Sequence, residues 1–208
     1  MTTTRLAALA FVAFATCSTA FAKGGFWAER ARTIDAQACP AGSFSVVTSP
    51  DGSAVSVLFD NFAVQTNEAN GGFARMTCAL EIPLHLPEGY SLGVYQVDYR
   101  GFAKLENRQR GELSVAYGTG SGERNRGRRF RRDVRGAYEG DFVFNERLRG
   151  GVLRRMGCGD EAVLNFAATL TLMSKKGAAA GTMMLDSVDG APAAGLVFGL
   201  DLKRCGER

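Results

Sequence analysis

Apolar and polar residues alternate along most of the chain after residue 40. The stretch 164–172 carries leucine, phenylalanine or alanine at every even position and mostly asparagine or threonine between them, and the stretches 54–60 and 196–202 show similar alternation. A period of two residues places alternate side chains on opposite faces of a strand, whereas a helix repeats every 3.6 residues. These stretches therefore predict strands with one buried face and one face in water.

Nine stretches fit this strand pattern, and turn signals such as Pro87-Glu88-Gly89 lie between them. They are 44–48, 54–60, 73–86, 90–105, 112–117, 138–144, 164–172, 182–186 and 196–202. A series of about nine or ten strands with short connections is typical of sandwiches and jelly rolls. The sequence therefore predicts an all-β fold, an antiparallel β-sandwich or a jelly-roll-like domain.

The first 22 residues have the composition of an export signal. A single charge at Arg5 precedes an apolar run, and Ala20-Phe21-Ala22 has the small-x-small form of a cleavage site. Neither this run nor any later one provides the roughly 20 apolar residues that a membrane-spanning helix needs. We expect cleavage after Ala22, no transmembrane anchor, and a secreted or periplasmic mature protein.

The mature chain is expected to form one domain, since no linker or internal repeat divides it. Residues 23–38 are predicted to be an N-terminal arm, either a short helix or a mobile segment. Residues 39–205 are predicted to be a single β domain, and residues 206–208 a tail.

Four cysteines remain after removal of the signal: Cys39, Cys78, Cys158 and Cys205. An even number in an exported protein favours two disulfides, although three pairings are open. We favour Cys39–Cys78 and Cys158–Cys205, which keep each pair within one half of the chain. A metal site is the alternative, but no C-x-x-C spacing supports it, and we expect neither a metal nor a cofactor.

Several segments resemble those of an uncharacterised secreted family, domain of unknown function 4360. The matching segments are Cys39-Pro40-Ala41-Gly42, residues 55–62, Cys78-Ala79-Leu80, residues 86–90, Val97-Asp98-Tyr99-Arg100-Gly101-Phe102-Ala103, Cys158-Gly159, Asp186-Ser187 and the strand that ends at Cys205. The resemblance implies a secreted, disulfide-bonded β domain and supplies no catalytic residue. The chain departs from the family before its third and fourth cysteines, where relatives tend to carry tryptophan.

Charge is segregated along the chain. Residues 104–155 contain 14 Lys and Arg against 7 Asp and Glu, whereas residues 23–103 contain 5 against 8. Seven arginines are concentrated in residues 123–135: Arg124, Arg126, Arg128, Arg129, Arg131, Arg132 and Arg135. Because the glycine-rich run 118–122 precedes them, we expect an arginine-rich, flexible loop.

The arginine cluster predicts anion binding, because a guanidinium group can donate two parallel hydrogen bonds to phosphate, sulfate or carboxylate. The expected partner is an anionic polysaccharide, lipopolysaccharide or another polyanion. Nucleic acid is the weaker candidate, since only Phe130 lies among the arginines and base stacking needs several aromatic rings. Further candidate cations are Arg147, Arg149, Arg154 and Arg155. The alternative is a solvated loop with no ligand.

A second candidate cluster is Asp98, Tyr99 and Arg100, which combine an acid, a phenol and a guanidinium. Alternation places Asp98 and Arg100 on one face of a strand and Tyr99 on the other. The cluster is interpreted either as an ion pair at a bend or as a sugar-binding group. The one histidine of the chain, His85, is interpreted as a hydrogen-bonded structural residue, because no catalytic motif accompanies it.

The leading hypothesis is therefore a secreted, non-enzymatic binding protein with an anionic partner. One alternative is a secreted glycan hydrolase, which would need two carboxylates about 5–10 Å apart in a cleft. Another is a structural component of an envelope or matrix.

Overall fold

The computed structural model places the chain in two antiparallel sheets that pack face to face. It describes residues 26–35, 39–120, 127–148, 155–158, 162–175, 180–185 and 195–206. Within these ranges the chain forms 14 strands and no helix. The predicted all-β sandwich is confirmed, with more strands than the nine or ten expected. Accordingly, the described residues contain no helix long and apolar enough to cross a membrane.

The first sheet has six strands. They are β1 (Trp27–Ala28), β2 (Arg32–Asp35), β6 (Phe73–His85), β8 (Gln109–Thr119), β9 (Arg128–Arg135) and β12 (Val163–Ser174). Their spatial order is β1-β6-β12-β8-β9, and β2 also pairs with β6. Strand β9 therefore forms one edge of this sheet, and β1 and β2 form the other.

The second sheet has eight strands. They are β3 (Phe44–Thr48), β4 (Ala54–Phe59), β5 (Ala63–Thr66), β7 (Tyr90–Leu105), β10 (Tyr138–Arg147), β11 (Met156–Gly157), β13 (Gly181–Met184) and β14 (Gly195–Arg204). The order is β3-β4-β14-β7-β13-β5, and β10 and β11 also pair with β7. The long strand β7 thus holds four other strands and organises this layer.

The core lies between the two sheets and follows the alternation of the sequence. On β12, Leu164, Leu170 and Leu172 are fully buried, whereas Thr169 and Thr171 are partly exposed on the outer face. Apolar side chains from the inner faces of both sheets form one continuous cluster. Burial of each such leucine contributes about 1.5–3 kcal/mol. Because a shift of one residue would expose the whole apolar set of a strand, the alternating pattern determines which face of each strand packs in the core.

Each of the nine predicted stretches contains a strand, but five strands were not predicted. These are β1, β2, β5, β9 and β11. Four of them, β1, β2, β5 and β11, have only two or four residues, too few for a period to be visible, and β9 is rich in arginine. The alternative of a short helix in residues 23–38 is wrong for residues 26–35, because β1 and β2 lie there. The export signal and its cleavage site lie outside the described residues.

Two disulfides confirm the favoured pairing of the cysteines. Cys39 joins Cys78 on β6, with the Cα atoms 5.4 Å apart. Cys158, directly after β11, joins Cys205, directly after β14, with the Cα atoms 5.7 Å apart. The first bond lies in the core and the second lies at one end of β7. The alternative of a cysteine metal site is thereby excluded.

Candidate functional site

Strand β9 brings five of the seven clustered arginines to the edge of the six-stranded sheet. It pairs with β8 from Arg128, opposite Tyr117, to Arg135, opposite Arg110. The predicted flexible loop is therefore wrong for Arg128, Arg129, Arg131, Arg132 and Arg135, which lie on a strand. Arg124 and Arg126 lie outside the described residues.

Two apolar side chains hold β9 against the core. Phe130 and Val134 are only 3% and 6% exposed, while the arginines between them are exposed. The Phe130 ring is stacked on the ring of Tyr99, with centroids 4.0 Å apart and planes 14° apart. Arg132 places its guanidinium carbon 5.0 Å from the centre of the Phe130 ring. Backbone pairing with β8 thus holds β9 in the sheet, and the Phe130–Tyr99 stack holds it against the core.

A carboxylate bridges two buried tyrosines behind this contact. Tyr99 and Tyr117 donate their hydroxyl groups to the same oxygen of Glu146 on β10, at 3.0 and 2.8 Å. The bridge links β7 and β10 of one sheet to β8 of the other. Burial is the largest cause that raises the pKa of both tyrosines, since it disfavours the phenolate. The neighbouring carboxylate acts in the same direction.

The outer face of β9 carries three arginines and one acid, which are Arg129, Arg131, Asp133 and Arg135. Arg131 contacts Glu112 on β8 at 2.5 Å, and Arg110 contacts Asp133 at 2.8 Å and Glu112 at 3.5 Å. The hydrogen bond and the charge of Asp133 raise the pKa of Arg110 above its usual range. These pairs neutralise Glu112 of β8 and Asp133 of β9, and they occupy Arg110 of β8 and Arg131 of β9.

The other cations of β9 are not neutralised in this way. Arg128, Arg129 and Arg135 are exposed, and no hydrogen bond or ion pair holds their guanidinium groups within the part of the chain that the structure describes. Alternation places Arg129 and Arg135 on the outer face, with the ion-paired Arg131 and Asp133 between them, and Arg128 on the face of Phe130 at the beginning of the strand. The edge can therefore present several guanidinium groups to one extended anion.

The structure does not bring Asp98, Tyr99 and Arg100 together on one surface. Tyr99 is fully buried, whereas Asp98 and Arg100 face outward. Asp98 accepts hydrogen bonds from Gln96 Nε2, at 3.0 Å, and from Asn145 Nδ2, and it makes no ion pair with Arg100. The predicted alternation is correct, but Tyr99 serves the core and cannot contact a ligand together with its neighbours.

Among the further candidate cations, Arg155 is committed to the fold. Its guanidinium group forms an ion pair with Asp201 and also donates to the backbone oxygen of that residue at 3.0 Å. Arg147 is exposed on β10, and Arg149 and Arg154 lie outside the described residues.

A cleft that sequence reasoning missed lies at the opposite edge of the six-stranded sheet. Its volume is about 450 Å³, and its lining includes Glu29, His85, Glu88 and Tyr90. His85 Nε2 lies 3.1 Å from Glu29 Oε1, and the His85 side chain is 55% exposed. Its interpretation as a hydrogen-bonded structural residue stays a prediction. No signal in the sequence connects these parts: the one tryptophan of the chain, Trp27, packs on its one histidine only through the pairing of β1 with β6. The described residues contain no group of three potential metal ligands.

Comparison with known proteins gives two findings. A family model described as domain of unknown function (DUF4360) matches residues 33–205. A protein of Arthroderma benhamiae described as an uncharacterized secreted protein is 28% identical over 159 residues. The match covers 76% of this chain and 64% of that protein, so the chain spans less than two thirds of the length of this relative.

Proposed function

Since the chain belongs to the DUF4360 family, whose name records no activity, we propose that it is a secreted protein that binds an anionic extracellular polymer along strand β9. Two disulfides support an extracellular location, because such bonds persist in oxidising compartments. The relative described as a secreted protein supports the same location.

The observation that carries the proposal is the set of unpaired arginines on a fixed strand. Arg128, Arg129 and Arg135 are exposed and lack an ion-pair partner among the described residues, while Phe130 fixes the strand beneath them. A strand loses less backbone freedom on binding than a loop does, so the Cα positions that carry these arginines are already fixed before a ligand binds. Arginine suits carboxylate, sulfate and phosphate groups through its planar fork of donors.

The same strand favours an acidic polysaccharide or lipopolysaccharide over nucleic acid. Single-stranded nucleic acid is usually held by aromatic rings on which the bases stack. The one aromatic ring of β9, Phe130, is 3% exposed and already stacked on Tyr99. The surface of β9 thus offers charge without a stacking platform.

An edge strand rich in charge also has a purely structural use. Exposed edges invite pairing with strands of other molecules, and proteins block this with charged side chains. The arginines of β9 serve this purpose whether or not they bind a ligand. The two roles predict different results when the arginines are removed, because only one of them requires a polyanion.

The test is binding of the mature protein to heparin, alginate and lipopolysaccharide at two salt concentrations. The test variant replaces Arg128, Arg129 and Arg135 by Ser. The matched control replaces Arg30, Arg75 and Arg100, three exposed arginines on other segments, by Ser. We expect affinity that falls steeply with salt, is lost in the test variant, and is retained in the control.

Two results would overturn the proposal. Absence of binding to all three polyanions would leave edge protection as the role of the arginines, and aggregation of the test variant would then be the expected phenotype. An equal loss of affinity in both variants would indicate attraction to net charge alone.

A further inference from the structure

We propose that the cleft beside Trp27 and His85 binds a neutral sugar unit of a glycan. It is separate from β9, because β1 and β9 are the two edges of the same sheet and four strand spacings separate them, about 19 Å. The inference therefore does not depend on the anion-binding role of β9.

The cleft has the size and rigidity of a binding site. Its volume of about 450 Å³ falls within the range of small-molecule sites, about 300–1,000 Å³. Its walls are fixed by backbone hydrogen bonds: Glu29 N donates to Pro83 O at 2.9 Å, and Cys158 N donates to Tyr90 O at 3.1 Å. The Cys158–Cys205 disulfide adds a covalent constraint at the same place. A ligand would meet a site that is already formed.

The polar groups of the cleft suit hydroxyl groups better than anions. The carboxylates of Glu29 and Glu88 line it together with the imidazole of His85 and the phenol of Tyr90. The imidazole Nε2 faces Glu29, which leaves Nδ1 as a second polar position. Carboxylates accept hydrogen bonds from sugar hydroxyls and repel the acidic groups that β9 would attract, although Arg32 also lines the cleft.

An exposed aromatic surface stands next to these groups. Trp27 is 56% exposed, and its ring centroid lies 4.6 Å from that of His85, with the planes tilted by 59°. A sugar ring presents C–H bonds on one face and hydroxyl groups around its rim. Trp27 does not itself line the cleft, but it packs on His85, which does. A sugar bound at the His85 side of the cleft would pack its C–H face on the indole while its hydroxyl rim bonds to the carboxylates.

The chain provides its own probe for this site, since Trp27 is its single tryptophan. We would titrate the mature protein with neutral hexasaccharides of glucose, N-acetylglucosamine, mannose, galactose and xylose, and follow tryptophan emission. We expect a saturable change with at least one of them. The variant with Glu29→Gln and Glu88→Gln keeps the tryptophan and the shape of both side chains, and its affinity should be about ten-fold lower or weaker still.

The matched control carries Glu68→Gln and Glu106→Gln, two exposed carboxylates outside the cleft, and should bind like the unmodified protein. The variant of β9 that lacks Arg128, Arg129 and Arg135 should also bind the sugar normally. The proposal is overturned if none of the five sugars changes the emission. It is equally overturned if the change occurs but is the same in the Glu29 and Glu88 variant.

Discussion

The two edges of the six-stranded sheet present opposite chemistry on one scaffold. At one edge, β9 carries five exposed arginines above a single buried aromatic ring. At the other edge, β1 and the end of β6 frame a cleft with two carboxylates, a tyrosine, an imidazole and an exposed indole beside it. One edge is suited to long-range attraction of charge, which salt weakens, and the other to short-range contact. An edge is where a sheet can vary without disturbing its core.

Loss of the second disulfide should have the largest effect and should fall on the cleft edge. Cys158→Ser with Cys205→Ser opens a loop defined by a sequence separation of 47 residues. Loop entropy predicts a decrease of about 4 kcal/mol in the free energy of unfolding, which urea denaturation would measure. Because Cys158 lines the cleft, the tryptophan response to sugar should weaken, while polyanion affinity, measured well below the unfolding temperature, should not change. Loss of both activities together would show that the edges are not independent.

Alkaline pH should affect the β9 edge through its tyrosine bridge. The pKa of Tyr99 and of Tyr117 is raised in the fold, so the stability that their neutral forms contribute is present below the usual tyrosine pKa of about 10 and is lost as pH rises above it. At pH 11 the loss should be on the order of 1 kcal/mol for each tyrosine that stays neutral in the fold. Urea denaturation at pH 9, 10 and 11 would measure it.

The control for this prediction is the variant with Tyr99→Phe and Tyr117→Phe. It lacks both ionising groups, so its free energy of unfolding should fall less between pH 9 and pH 11 than that of the unmodified protein. Equal slopes in the two proteins would contradict the assignment of the alkaline loss to this bridge.

Removal of the one acid on the outer face of β9 should have the smallest effect. It would make the β9 edge more positive and leave the cleft edge unchanged. Asp133→Asn breaks an exposed ion pair with Arg110, and such pairs contribute at most about 1 kcal/mol. The Arg110 guanidinium group then keeps only its 3.5 Å contact with Glu112, and the loss of one negative charge should increase affinity for heparin a few-fold at low salt, measured by titration calorimetry. Weaker heparin binding would indicate that the Arg110–Asp133 pair positions the row of arginines.

The sequence predicted the layers of the fold better than its edges, for a physical reason. Strands such as β12 have one side against the core, so alternation is enforced over many residues and is visible in the sequence. Strand β9 is held by backbone pairing with β8 and places only Phe130 and Val134 in the core, so its exposed positions accept any polar residue. The run of charged residues in β9 therefore resembles the sequence of a solvent-exposed loop.

The cleft could not be predicted because its parts are distant in sequence. Trp27 and His85 meet only because β1 pairs with the far end of β6, and the short strand β1 shows no periodicity. The cysteine pairing was predictable, since closure within each half of the chain requires only local order. The pairing of β1 with the far end of β6, in contrast, depends on how the complete sheet assembles.

The pairing of β6 with β12 also sets the order in which the fold can assemble. Cys78 on β6 lies opposite Ala168 on β12, about 90 residues later in the chain. One hydrogen-bonding edge of β6 therefore stays unpaired until most of the chain is available, and such non-local pairing is slow. During that interval exposed apolar strands tend to associate between molecules. Strand β9 is synthesised after β6 and before β12. Its positive charge makes unfinished chains repel one another during the period when they are most prone to aggregate.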